Sequence, residues 1–234
     1  MNSPRTNRVL QILAMVASNP KPTSLRSITT ALGVHPSMVS RMVSDLIEAG
    51  LLTKSSYRNV ITTPGVAVLG RNAAKNHPLA RISLSLLREP AESLGFSCEF
   101  VTVTPMGLYH FFNVRKGTPP AAPLWNSDPA AVCLAAEGKT PEECQAILDA
   151  VDAPEQGRAL FRERFEAARQ NQMLLNYHSG RFWQLSIPVV CGELVCALAF
   201  AGLSAADVDK AQVDCVKLAG QIRSAYKELI ESNA

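Results

Sequence analysis

The residues best suited to chemistry in the first third of the chain lie in the run VHPSMVSRMVSDLIEAG. Pro36 suits the first turn of a helix. Val39, Met42, Val43, Leu46 and Ile47 recur at the spacing of one apolar stripe. Opposite that stripe stand Ser37, Ser40, Arg41 and Ser44. Short hydroxyls around one long cation let a helix backbone come close to base edges, and an arginine can bond a guanine edge or a phosphate. The competing role for Arg41 is an ion pair with Asp45, one turn on. Ser37, at the helix start, can face a phosphate together with free backbone N–H groups, and His35 is placed to cap the helix. Two further groups flank this face. Ser24 and Arg26 open a preceding short helix of the kind that crosses a phosphate backbone. Lys54, Tyr57 and Arg58 lie at the tip of a short hairpin, in reach of backbone or minor groove.

Elsewhere the patterns of covalent chemistry are missing. There is no GxSxG, no GxxxxGK[ST] and no HExxH. A nucleophile–base pair of Cys191 or Cys196 with His110 or His178 is chemically conceivable, but nothing in the spacing demands it, and no enzyme is expected. The six cysteines, at 98, 133, 144, 191, 196 and 215, contain no CxxC and no Cys/His pair at zinc-site spacing, so neither a metal nor another cofactor is expected. Contexts such as AAVCLAA and ELVCALAF are those of reduced, buried thiols. A thiol-based redox sensor is the alternative. It needs an exposed thiol beside positive charge. Cys98, Cys144 and Cys215 are the ones open to exposure, and each has an acid within two positions.

The elements that must position the first face follow from periodicity. Val9, Leu10, Ile12, Leu13, Val16 and Ala17 make an amphipathic helix that Pro20 and Pro22 close. Thr23 or Ser24 caps a short helix through Leu32, and Gly33 makes the turn. The serine-bearing helix runs to Gly50. Leu51–Lys54 and Asn59–Thr63 form a hairpin around Ser55–Arg58. This order is a winged helix-turn-helix. Val66–Ala74 is predicted to be a linker helix, and Leu79–Leu94 a second helix that Gly95 ends. The period then changes. Cys98–Val103 and Leu108–Val114 pair around Pro105-Met106-Gly107. A proline-rich loop spans Thr118–Pro123. Helices follow at Asp128–Ala136, Pro141–Val151 and Pro154–Asn171. Phe182–Val190 and Leu194–Gly202 pair around Cys191-Gly192-Glu193. Ser204 caps a last helix to Glu231, whose apolar side carries Val208, Val213, Val216, Leu218, Ile222, Tyr226 and Leu229. The class is α+β: a winged helix-turn-helix over 1–64, a linker helix over 65–77, and over 78–234 an α/β domain with a mixed antiparallel sheet.

Charge divides the chain in the same place. Residues 1–76 hold nine Lys or Arg against two acids, a net charge of +7. The remaining residues hold 14 basic and 18 acidic groups, a net charge of −4. A basic small half joined to an acidic large one points to a polyanion partner for the first only. With 47% hydrophobic and 18% charged residues, each half can bury a core. No apolar run reaches membrane-spanning length and the N-terminus has no signal-peptide pattern, so a soluble cytoplasmic protein without a membrane partner is expected.

The run RVLQILAMVASNPKPTSLRSITTALGVHPSMVSRMVSDLIEAGLL resembles the DNA-binding domain of the IclR family of bacterial regulators, through Gly33-Val34, Ser37, Val39, Arg41, Met42, Val43, Leu46 and Gly50-Leu51. In the second half, Pro123-Leu124, Asn126-Ser127 and Ala130–Ala135 resemble the loop and helix bordering that family's effector pocket. Leu185–Val189, Gly192 and Ala197–Gly202 resemble its paired core strands. The family's usual glycine in the pocket-bordering helix is absent near Pro129-Ala130, and Pro36 and Met38 replace usual basic or threonine residues. The resemblance implies a GAF-like effector domain, a homodimer or homotetramer, and binding to palindromic operators in double-stranded DNA. On this basis Trp125, Asn126 and Ser127, Trp183 and Gln184, Leu108 and Tyr109, and Cys196 or Ala199 are expected around a mostly apolar effector pocket. Asn126, Ser127 and the N–H groups opening the Asp128 helix suit a carboxylate, which favours an organic acid, aromatic acids included. Either tryptophan serves equally well as a core or interface residue.

Overall fold

The computed structural model describes residues 4–104, 107–115, 123–178 and 180–232. The chain divides into two compact units, Met1–Lys75 and Asn76–Ala234.

The first unit begins with helix α1 (Pro4–Ala17), followed by β1 (Thr23–Ser24), α2 (Leu25–Leu32), α3 (Pro36–Glu48), and the hairpin β2 (Leu52–Ser56) and β3 (Asn59–Thr62). The Ser24 side chain accepts the Ser27 backbone N–H at 3.0 Å, which opens α2. Gly33 ends α2 at φ +59°, a conformation that glycine adopts without Cβ strain, and so sets up the turn into α3. The apolar stripes of α1, α2 and α3 meet in one core of Ile12, Val16, Ile28, Val39, Met42, Val43 and Leu46, closed by Leu52 and Val60 of the hairpin. Thr23 and Ser24, expected only as cap residues, also pair with Val60 and Asn59, so the wing is a three-stranded sheet of order β1-β3-β2. Two residues are too few to show alternation in sequence. Helix α4 (Pro64–Asn76) follows and buries none of its residues.

The second unit consists of α5 (Pro78–Leu94), β4 (Ser97–Thr104), β5 (Gly107–Val114), α6 (Asp128–Ala136), α7 (Pro141–Ala150), α8 (Glu155–Asn171), β6 (Leu174–His178), β7 (Phe182–Cys191), β8 (Leu194–Leu203) and α9 (Val208–Glu231). The strands form one sheet of order β5-β4-β8-β7-β6, and every neighbouring pair runs antiparallel. Alternation along the strands sends side chains to two faces. On one face Phe100, Leu185, Val189, Leu198 and Phe200 pack against α5 and α9 through Leu79, Leu87, Cys215 and Ile222. On the other, Val101, Leu174 and Ala197 pack against Val132 and Cys133 of α6 and Ala168 of α8.

Two sequence expectations change here. The last helix keeps Leu218 and Ile222 inward, with Val208, Tyr226 and Leu229 packed against the same core, but it turns Val213 and Val216 out. Ala211, Cys215, Leu218, Ala219 and Ile222 are buried, whereas Val213 and Val216 are 68% and 51% exposed. Small residues at positions 211, 215 and 219 let the helix lie close on the sheet, and close approach outweighs the larger valines. Strand β6 was not expected at all. It is a five-residue edge strand in which Leu174 is buried and the adjacent Leu175 is 39% exposed. The expected turn at Pro105-Met106 and most of the proline-rich loop lie outside the described residues.

Candidate nucleic-acid interface and ligand site

Helix α3 presents Ser37, Ser40, Arg41 and Ser44 to solvent, opposite the buried Val39, Met42, Val43 and Leu46. Arg41 makes no ion pair with Asp45. Asp45 is instead held by Arg5 of α1 at 2.7 Å. Arg41 is thereby left without an ion-pair partner among the described residues. Met38, 43% exposed on the same helix, has its sulfur 3.6 Å from Arg8 Nη1. Arg5 and Arg8 thus stand beside the serine-bearing face, although sequence reasoning did not select them. Their partners lie 40 and 30 positions away, and helical spacing reads only three or four.

His35 caps α3 as expected. Its Nδ1 accepts the Ser37 backbone N–H at 3.3 Å and lies 2.8 Å from the Ser37 hydroxyl. Ser37 is therefore engaged in its own helix start while remaining exposed. Arg26 is exposed on α2. At the wing, Lys54, Tyr57 and Arg58 are exposed, Tyr57 by 87%. The Arg58 guanidinium lies 5.8 Å from the Tyr57 ring centroid, close enough for a cation–π contact. The Leu25 backbone N–H donates to the Arg58 carbonyl at 2.9 Å, which ties the wing tip to the start of α2.

In the second unit the strongest polar centre is Asp128, at the start of α6 and only 1% exposed. Ser127 caps that helix, its Oγ accepting from the Ala130 N–H at 3.3 Å. The Asp128 carboxylate occupies the positive end of the same helix. It also meets three side chains from distant elements. Arg164 Nε of α8 lies 3.0 Å from Oδ1. His178 Nε2 lies 2.7 Å from Oδ2, and Asn176 Nδ2 donates to Oδ2 at 3.1 Å, both from β6. Arg164 Nη1 further donates to Asn126 Oδ1 at 3.0 Å. A buried charge persists only when paired and hydrogen-bonded. Here Oδ2 is hydrogen-bonded by Asn176 and set against His178, and Arg164 bonds Asn126 through Nη1, whereas Oδ1 and Nε face each other as an ion pair without hydrogen-bond geometry; the network joins α6, α8 and β6.

A second polar centre lies on the same face of the sheet. Glu99 of β4 sits 3.5 Å from Arg115 Nη2 and 3.6 Å from His110 Nδ1. Burial raises the Glu99 carboxyl above its ordinary value. Arg115 opposes that shift and the Asp128 charge adds to it. Burial, then Arg115, lowers His110.

The expected pocket residues do not all converge. Asn126 and Ser127 lead into α6. Leu108 packs on the α6 face. Gln184 and Ala199 are on that face too, in register with Asn176 and with Glu99 and Ser186 respectively. Tyr109, Trp183 and Cys196 fall on the opposite face. Tyr109 pairs with Thr102 and packs edge-on to Phe111 at 5.0 Å, and Trp183 and Cys196 belong to the core beneath α5 and α9. Trp125 rests on α8, where a Cβ added at Gly157 would come within 2.5 Å of its ring. Sequence reasoning missed Asp128 as an anchor, together with Arg164 and Asn176, because no spacing links positions 128, 164 and 176. His178 was considered only as a base for a cysteine. It bonds Asp128, and its Nδ1 has no partner among the described residues.

All six cysteines are buried, including Cys98, Cys144 and Cys215, for which exposure was open. Burial raises every thiol: Cys191 to about 11, and Cys144 and Cys196 to about 12. Apolar packing around Cys98 and Cys215 outweighs the polarity of their sequence neighbours. Among the described residues no group of three or more His, Cys, Asp or Glu has metal-site geometry, and no helix is long and apolar enough to cross a membrane.

Residues 6–56 match the family model of the IclR helix-turn-helix domain. That match falls within the N-terminal unit. Over the whole chain the fold is that of IclR-type regulators. A regulator of the IclR family from Brucella abortus superposes with a TM-score of 0.75 at 17% identity, covering 96% of this chain and 93% of its own. An IclR-type regulator from Alicyclobacillus acidocaldarius gives 0.65 at 12% identity, with 97% and 100% covered. An IclR homologue from Microbacterium hydrocarbonoxydans, complexed with 4-hydroxybenzoate, gives 0.59 at 13% identity, with 96% and 99% covered. No curated protein matches the chain. Helix α3 and strand β2 lie within the matched residues, and β3 follows them.

Proposed function

We propose that this chain is a cytoplasmic transcriptional regulator that binds a palindromic operator in double-stranded DNA as a homodimer or homotetramer, and that its second unit takes up a small organic acid to modulate that binding. The observation that carries the reading is the α3 surface within the matched residues: three exposed serines, and an Arg41 with no ion-pair partner among the described residues, on the face opposite the core. Phosphate contacts from Arg26, Lys54, Tyr57, Arg58 and the helix starts at Ser24 and Ser37 set affinity. Ser40, Arg41 and Ser44 set sequence choice. The net charge of +7 over residues 1–76 supports the first role. An acid effector is supported by the relative that holds 4-hydroxybenzoate and by the buried cationic and amide groups at the start of α6. Asn126, Ser127, Leu108, Gln184 and Ala199 share that side of the sheet and are the residues retained for the effector. Trp125, from the turn before α6, borders it while resting on α8.

The test is operator binding by fluorescence anisotropy across a salt series. Arg58→Ala weakens binding to all sequences and lowers the salt slope by about one. Arg41→Ala also relaxes preference, by about 1–3 kcal/mol at one base pair. If neither substitution changes retardation or anisotropy of operator DNA, α3 and the wing are not the DNA-binding face.

A further inference from the structure

A cleft of about 380 Å³ opens between α8 and β6, lined by Asn126, Leu160, Glu163, Arg164, Asn176 and His178 among others. That volume suits a small molecule. The polar groups at its floor are each half used. Arg164 is 7% exposed, sets Nε against Asp128 and donates from Nη1 to Asn126; its Nη2 has no hydrogen-bond partner among the described residues. Asn126 uses its carbonyl oxygen on Arg164 and keeps its amide hydrogens. Asn176 uses its amide nitrogen on Asp128 and keeps its carbonyl oxygen. His178 uses Nε2 on Asp128; with the proton on that nitrogen, Nδ1 remains an acceptor. The cleft therefore offers donors from Arg164 and Asn126 on one side and acceptors from Asn176 and His178 on the other. Leu160 and Leu174 form an apolar wall, and Glu163 adds a negative charge at the rim.

We propose that this cleft binds a small hydroxy-monocarboxylate, its carboxylate on Arg164 and Asn126 and its hydroxyl on Asn176 or His178. A planar carboxylate matches the guanidinium edge. An anion without a hydroxyl, such as sulfate or nitrate, would leave both acceptors unmet. A second carboxylate would face Glu163. The inference deepens, and rests on, the reading of the second unit as an acid-sensing domain, and it places the ligand at the junction of α6, α8 and β6. A ligand on Arg164 extends the network that joins those elements.

The experiment is titration calorimetry on the full chain with lactate, 3-hydroxypropionate and 4-hydroxybenzoate, each beside its analogue without the hydroxyl (propionate for the first two, benzoate for the third), and with malate as the dicarboxylate. At least one hydroxy acid binds, and its deoxy analogue is weaker by about tenfold. Leu160→Trp, at a position that makes no hydrogen bond or ion pair in the Asp128 network, fills the cleft and abolishes binding. Arg164→Lys weakens it by about tenfold or more, and Glu163→Gln admits malate. If a hydroxy acid binds and neither Leu160→Trp nor Arg164→Lys alters its affinity, the cleft assignment is overturned while acid sensing stands. If none of the three hydroxy acids binds the folded protein, the ligand class is overturned. A thermal-shift panel of other organic acids then decides the sensing reading separately, because any ligand of the native state raises the melting point.

Discussion

Replacing Asp128 by asparagine tests whether the buried network holds the second unit together. The substitution keeps the size and one acceptor oxygen but removes the one carboxylate that pairs with Arg164 among the described residues. Arg164, 7% exposed, then carries an uncompensated buried charge. Breaking a buried pair from one side costs about 3–5 kcal/mol. With a urea slope of about 2 kcal/mol per molar for a unit of this size, the midpoint falls by about 1.5–2.5 M. The assay is convenient because both tryptophans, Trp125 and Trp183, lie in the second unit, so their fluorescence follows that unit alone. A second arm separates the pair from its burial. Asp128→Leu combined with Arg164→Met removes both charges, and its cost is well below the sum of the two single changes, since neither partner is stranded. A midpoint shift for Asp128→Asn below about 0.5 M at unchanged slope, or a double variant equal to the sum of its singles, would refute the argument that the pair bridges α6 and α8.

Other expectations follow from particular contacts. Gly157→Ala should gain about 1 kcal/mol of helix propensity but lose about 1–3 kcal/mol by overpacking, because its Cβ meets the Trp125 ring at 2.5 Å. A net loss in the urea midpoint with altered tryptophan emission is expected, and a net gain would mean that Trp125 is free to move. The thiols should be silent: in native protein at pH 8 none of the six buried cysteines reacts rapidly with a disulfide reagent, whereas all react in urea. A rapidly reacting native thiol would restore redox sensing as the signal. For Glu99, burial raises the folded-state carboxyl, so the folded chain holds this proton more tightly than the unfolded chain. Its contribution to stability is therefore present below the ordinary glutamate range and is lost as pH rises through that range to the raised folded value. Glu99→Gln should remove that slope. Its urea midpoint relative to the parent should rise with pH across the window, and a parallel offset at all pH values would contradict the assignment.

The first unit was largely readable before its structure. Its helices are amphipathic, its turn has Gly33, and the stripe of Val39, Met42, Val43 and Leu46 leaves the opposite face of α3 by elimination. These are local properties that recur every three or four residues. What could not be read there were Arg5 on Asp45 and Arg8 on Met38, since only packing α1 across α3 creates those contacts. In the second unit, the paired strands and most helices followed from period and caps. The outward turn of Val213 and Val216 on the last helix did not, because whether a valine or a small residue turns inward depends on how closely the helix can lie on the sheet. Nor did edge strand β6, whose five residues show no clean alternation and which exists because β7 offers it a ladder. The site went the same way. The sequence by itself determined that residues 123–128 lead into a capped helix, and hence that Ser127 and Asp128 stand at its positive end. Only the tertiary structure brought Arg164, Asn176 and His178 to that carboxylate. A buried charge must find its partners wherever the fold places them, and neither helical nor strand periodicity carries that information.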